Sequence, residues 1–271
     1  MRRLLMLLLV LSVLALGVLI GVLLGGDDEP GSATNASAAA ATATDSGSLE
    51  LTVDQAAVDA KPGVAAVLDQ VDLESAVAEL DDLLRLPRDV TLAVRDDPDE
   101  AYYDPDSHTI VLSPSLVAQT AKTMDDIYDD AQDALVAAAS SVRFTVLHEL
   151  GHALVDVLEL PTTGLEETAV DEFAVVTLID YLDDPIAVLE ASDEFDAIAA
   201  VPEEADYYDE HALDQQRFFH MRCLVYGTDP EKYADEIDGL ELDAGRADLC
   251  VDESKHTRRA WKALLAPYVD A

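Results

Sequence analysis

Apolar residues fall into a few distinct rhythms along this chain. Val64, Val67, Leu68 and Val71, followed by Leu73, Val77, Leu80 and Leu84, recur in steps of three and four. That is the spacing of one helix face, with Pro87 as its stop. Val90–Val94 and Thr109–Leu112 are short runs rich in β-branched residues and predict strands, while the acidic, proline-containing stretch between them reads as a loop. From about Met124 onward the helical rhythm dominates. A helix, a small sheet and a helical remainder predict a mostly helical α+β domain over residues 49–271, without internal repeats.

The first 48 residues follow a different pattern. Residues 4–24 carry no charge and are almost wholly Leu, Val, Ile, Ala and Gly; as a helix they would span about 31 Å, the thickness of a bilayer core. Residues 1–26 are therefore expected to be a transmembrane anchor or a signal sequence. The anchor is favoured because Gly25-Gly26-Asp27-Asp28-Glu29-Pro30 intervenes before any small-residue cleavage site. Arg2 and Arg3 orient the segment so that the rest of the chain lies outside the cell membrane, or is secreted if the segment is cleaved. Residues 27–48, rich in Ala, Thr and Ser, read as a flexible linker, and Asn35-Ala36-Ser37 within it is a glycosylation sequon. Two cysteines, Cys223 and Cys250, suit an oxidising exterior and are expected to pair.

Charge narrows the class of function. The chain has 56 Asp and Glu against 16 Lys and Arg and a formal net charge of -40. Nucleic-acid binding needs clustered cations that displace counterions from phosphates, so it is excluded. Half of the residues are apolar, enough for a core and against disorder. The acids are scattered rather than gathered in a tail, which predicts a uniformly anionic surface of the halophilic kind, adapted to concentrated salt that screens self-repulsion.

The candidate chemistry is concentrated in residues 144–157. His148-Glu149-Leu150-Gly151-His152 places two histidines four positions apart, about 40° apart on a helix, so both imidazoles face one metal ion. Glu149 projects about 100° from His148, beside the ligand ridge, where it meets a water at the metal from the side. Val146, Leu147, Leu150, Leu154, Val157 and Leu158 form an apolar stripe on the opposite face.

A catalytic zinc site needs a third protein ligand and an open fourth position. A third histidine six positions beyond His152 is excluded, because Leu158 stands there. Asp156 would have to bend back along its own helix. Glu167 and Asp171, four apart at the start of a second helix, share a face. Glu167 can then bind the metal while Asp171 holds a ligating imidazole in one tautomer. Glu166 points away from Glu167 and is expected to support the site from outside, though it remains the competing ligand.

These residues resemble the zincin metallopeptidases whose third ligand is glutamate, the gluzincins. A narrower similarity is carried by Ala101-Tyr102-Tyr103-Asp104-Pro105, Glu166-Glu167 with Asp171, Glu210-His211 with Gln216-Arg217, Leu224-Val225-Tyr226-Gly227 and Trp261. It points to a family of proteins described as metallopeptidases, with no assigned substrate. The resemblance implies a zincin-like fold whose sheet edge aligns an extended peptide, with Thr109–Leu112 as the expected edge strand. It implies zinc held by His148, His152 and Glu167, and hydrolysis of a peptide or protein substrate at the cell exterior by a metal-activated water. Glu149 would be the general base, and a donor from His211, Tyr207, Tyr208 or His220 would stabilise the oxyanion, with His211 preferred. His108 and His256 are expected to have no role. The alternative is a zinc-stabilised cell-surface binding module without turnover.

The scattered acidity generates a first prediction. Melting temperature and catalytic activity should rise together as salt is added. A domain equally stable and active at very low ionic strength would contradict salt adaptation.

Overall fold

The computed structural model describes residues 46–98, 100–200, 208–238, 240 and 244–269. The expected span over residues 4–24, the linker up to residue 45 with Asn35, and Tyr207 lie outside them. Among the described residues no helix is long and apolar enough to cross a membrane.

Strand β1 (Leu49–Val53) is followed by helices α1 (Gln55–Asp59), α2 (Val64–Val71) and α3 (Leu73–Leu83), then by β2 (Val90–Val94), β3 (Ala101–Asp104) and β4 (Thr109–Leu112). Helices α4 (Pro114–Ile127), α5 (Ala131–Val157), α6 (Glu166–Asp180), α7 (Pro185–Ala199), α8 (Asp214–Tyr226), α9 (Asp235–Asp238) and α10 (Ala244–Leu265) make up the rest. The α+β class is as expected. The long helix expected up to Pro87 is instead two helices. Asp72 takes a left-handed conformation, φ 53°, between them, and its carboxylate caps α3 through Ser75 N. Asp tolerates that conformation better than most residues, and a capping carboxylate offsets part of its cost.

The sheet has the order β1-β2-β4-β3, with β1, β2 and β4 parallel and β3 antiparallel to β4. This corrects the expected edge strand. Ile110, Val111 and Leu112 are buried on both faces of an internal strand, while the partly exposed β3 forms the edge. An unbroken apolar run is the mark of a strand covered on both sides, and the more polar, half-buried Ala-Tyr-Tyr-Asp run suits an edge. β3 folds onto β4 through a tight turn in which Asp104 accepts from Asp106 N and Ser107 Oγ.

Helix α5 is the central element. Asp130 caps it by accepting from the backbone N–H of Gln132 and Asp133, two of the groups left without partners in a first turn. Its apolar stripe, Val146, Leu147, Leu150, Leu154 and Val157, is buried in the main core together with Ala134, Ala137 and Ala138. Each buried leucine contributes about 1.5–3 kcal/mol. Helix α6 is apolar on most sides and packs beside α5, with Phe173 against Trp261 of α10, ring centroids 5.2 Å apart. The approach of α5 to α6 requires glycine at position 151, since a Cβ there would lie 2.8 Å from Val170 Cβ.

The C-terminal helices are fastened by covalent and ionic links. A disulfide joins Cys223 of α8 to Cys250 of α10. Gly227, just past α8, lets the two segments touch, because a Cβ there would stand 2.3 Å from the Cys250 carbonyl oxygen. Asp180 at the end of α6 is buried and accepts from Arg258, while Lys262 lies 3.1 Å away. These pairs hold α10 across the back of α6, and α6 in turn positions the acids described next.

Candidate metal centre

His148 and His152 project from one face of α5, one turn apart, with ring centroids 5.1 Å apart. The first turn of α6 brings Glu166 and Glu167 opposite them. Acids there favour helix formation, since the unpaired N–H groups make that end electropositive, and Leu165 at the cap offers no side-chain acceptor of its own. Glu167 Oε2 lies 3.1 Å from His148 Nε2 and 3.3 Å from His152 Nε2. A third imidazole arrives from the loop before α8: His211 Nε2 is 2.9 Å from the same oxygen.

The far nitrogen of each ring is held by another carboxylate. His148 Nδ1 lies 2.8 Å from Asp171 Oδ1, His152 Nδ1 lies 2.9 Å from Glu166 Oε1, and His211 Nδ1 lies 3.2 Å from Asp209 Oδ1. Asp171 is itself clamped by Arg217 of α8, whose Nε and Nη2 donate to its two oxygens at 2.8 and 2.7 Å. Carboxylates at Nδ1 of His148 and His152 fix the proton there and leave their Nε2 lone pairs free to bind a metal ion, whereas His211, protonated on both nitrogens, donates from Nε2. Glu167 thus lies against the inner nitrogens of the rings, and Asp171 and Glu166 against the outer nitrogens of His148 and His152.

Three Nε2 atoms around one carboxylate oxygen pose an electrostatic problem. If each Nδ1 proton goes to its own carboxylate, no proton remains for the bonds to Glu167 unless the rings become imidazolium ions. Burial lowers the proton affinity of His148 and His152, but hydrogen bonds to Asp171 and Glu167, and to Glu167 and Glu166, outweigh it; His148 is raised and His152 reaches about 9. The hydrogen bond to Glu167 raises His211. Burial would raise Glu167, yet bonds to the three rings hold its carboxyl far below the usual range. Five carboxylates, Glu149, Glu166, Glu167, Asp171 and Asp209, thus surround the rings, with Arg217 as the fixed cation. A divalent cation at the focus would satisfy the Nε2 lone pairs of His148 and His152 and the charge of Glu167 without extra protons, so these residues fit a divalent metal ion. His148, Glu167 and His211 have ligand atoms within 4.8 Å of one another. His152 joins them through Glu167.

Glu149 is 8 % exposed and makes no hydrogen bond to any described residue. Burial raises its pKa, against the pull of His148 and His152. An unpartnered carboxylate of raised proton affinity beside a cation site is suited to accept a proton. It faces a cleft of about 750 Å³ whose walls include His148, His152, Glu167 and His211 on one side and Tyr102 and Tyr103 of the edge strand on the other.

The remaining candidates fall elsewhere. Asp156 is not at the focus; its Oδ2 accepts from Tyr103 at 2.8 Å and lies 3.9 Å from His108 Nε2, tying β3 to α5. Tyr208 is 92 % exposed. His220 pairs with Glu172 at 3.2 Å, and His256 Nδ1 lies near Arg259. Spacing gave no role to Arg217, which figured only beside Gln216 in the family resemblance. Its partner Asp171 is 46 positions away, and the signal available was a lone arginine beside Gln216 in a chain poor in cations.

A helix carrying two histidines and a buried carboxylate, faced by acids from a second helix beneath the edge of a small sheet, defines a metallopeptidase-like centre. The family model described as "Putative metallopeptidase" matches residues 54–265, and the chain belongs to this family. No curated protein and no solved structure gives a match.

The different places of the two adjacent glutamates yield a prediction. Purified Glu167→Ala should lose bound metal, whereas Glu166→Ala should retain it with affinity reduced about tenfold, the effect of losing a carboxylate behind a ligating histidine. Metal analysis under competition with a chelator checks both; equal loss in the two variants would reverse the assignment.

Proposed function

We propose that this protein is a zinc-dependent peptidase that cleaves peptide or protein substrates by adding water to the scissile carbonyl. The observation that carries this reading is the buried, unpartnered Glu149 beside the converging His148, His152 and Glu167. A metal site that serves only stability has no use for such a carboxylate, which costs free energy to bury. His148, His152 and Glu167 would hold the ion, with Asp171 and Glu166 orienting the two rings. Zinc supplies a Lewis acid that polarises the carbonyl and makes water acidic enough to be deprotonated near neutral pH.

Glu149 takes the proton of the attacking water and passes it to the leaving amine. Its raised proton affinity helps both steps, since it binds the proton firmly and is still able to release it. Exposed β3 lies along the cleft, and its free main-chain groups suit an extended peptide. His211 donates to the developing oxyanion. Its position on the cleft wall and its side-chain exposure of 41 % support that role.

A second reading is favoured by one observation, the 2.9 Å approach of His211 Nε2 to Glu167. If His211 is a fourth ligand, the site is closed and the domain is a zinc-stabilised binding module. The anchor at residues 1–26 and a location outside the cell membrane belong to the proposal in either case.

Glu149→Gln separates the two. The variant should bind zinc as the parent does and lose hydrolysis of a casein or peptide mixture by at least about a thousandfold. Hydrolysis persisting in this variant, or a parent protein whose hydrolysis is indifferent to phenanthroline, would contradict the catalytic reading.

A further inference from the structure

A second cavity, of about 280 Å³, opens on the far side of Glu149 and shares His148, Glu149 and His211 with the main cleft. Part of its wall is apolar, made by Leu116 of α4, Phe144 of α5, and Phe195 and Ile198 of α7, with the two phenyl rings edge to face at 5.8 Å; Glu100 and Glu149 also line it. Glu194 of α7 also lines it, largely withdrawn from solvent. Thr120 donates to Glu194 Oε1 at 2.8 Å, and no Lys, Arg or His among the described residues forms an ion pair with Glu194. Arg217, the cation that lines the same cavity, gives both Nε and Nη2 to Asp171 and lays its guanidinium over the Phe195 ring at 4.1 Å. Burial pushes the Glu194 carboxyl up, against the hydrogen bonds of Thr120 and Ser141 and the charge of Arg217 nearby.

We propose that this cavity is a specificity pocket that takes an arginine or lysine side chain of the substrate, beside the scissile bond, with Glu194 as the partner of its cationic head. The proposal rests on the peptidase reading above and on the pairing of an apolar stretch of wall with the carboxylate of Glu194 in a cavity that Glu100 and Glu149 also line. Arginine and lysine bury an aliphatic stem along apolar surface and keep the charge at its end. The cavity offers surface for the stem and an acceptor for the head. Leucine or methionine would fill the walls but leave Glu194 buried without a cation, and an acidic side chain would meet like charge. The many acids on the surface do not supply this selectivity, because exposed charges are screened by salt over a few ångströms, whereas a partly buried pair is screened much less. The shared residues His148, Glu149 and His211 place the pocket next to the reacting carbonyl.

The test begins with an unbiased peptide library digested by the zinc-loaded full chain. Chelator-sensitive cleavage with arginine and lysine enriched at one position flanking the cut, and enrichment lowered about tenfold or more in Glu194→Gln, is the expected result. Cleavage without a basic preference, or a preference that survives Glu194→Gln, overturns the pocket and leaves the peptidase reading intact. An uncut library counts against the peptidase reading instead, and the pocket is then judged by binding. Zinc-loaded Glu149→Gln should bind an arginine-containing hexapeptide at least about tenfold more tightly than the same peptide with norleucine. Equal affinities would overturn the pocket. That comparison needs no change at Glu194, so it stands even if Glu194→Gln fails to fold.

Discussion

The site depends on one arrangement: three imidazole Nε2 atoms, from His148, His152 and His211, turned toward a single oxygen of Glu167. Each ring is fixed from behind by a carboxylate, and at His148 and His152 the lone pairs and not the protons point inward. In protein alone such a focus is electrostatically awkward, which is why the rings hold protons above their ordinary range and Glu167 resists protonation. A divalent ion removes the conflict. That is why so much acid surrounds so few cations here.

Much of the fold serves to keep that focus in place. The glycine at 151 brings α6 against α5, so that the first turn of α6 reaches both histidines. Arg217 crosses from α8 to clamp Asp171, which is buried and would otherwise be a costly charge. The disulfide from α8 to α10 and the Asp180 pairs from α6 to α10 fasten the helices that carry these groups. On the opposite side, the bond from Tyr103 to Asp156 sets the edge strand over the cleft.

Local pattern revealed what local pattern encodes. The runs forming β2 and β4 were legible as short, nearly unbroken apolar stretches rich in β-branched residues, and the apolar stripe of α5 because it repeats with the helical period. The histidine pair and its neighbouring glutamate were legible because one helical turn separates the two imidazoles, and Glu167 with Asp171 because their carboxylates are one turn apart as well. Strand β1, Leu-Glu-Leu-Thr-Val, alternates but is short and mostly exposed, and β3 lies within an acid-rich stretch that reads as loop. The edge position passed from β4 to β3 because the order of strands is set by tertiary pairing, which no single run records. The clamp of Arg217 on Asp171 and the place of Glu194 beside the metal centre join residues that are dozens of positions apart, and no spacing rule reaches that far.

An open metal centre, held by two histidines and a glutamate with room left for water, is the central claim. A crystal structure of the zinc-loaded protein with anomalous scattering recorded at the zinc edge tests it most directly. The account predicts one zinc per chain, bound by His148 Nε2, His152 Nε2 and Glu167, with a solvent position facing Glu149. Zinc found elsewhere, or enclosed by four protein ligands with His211 among them and no solvent position, would contradict it.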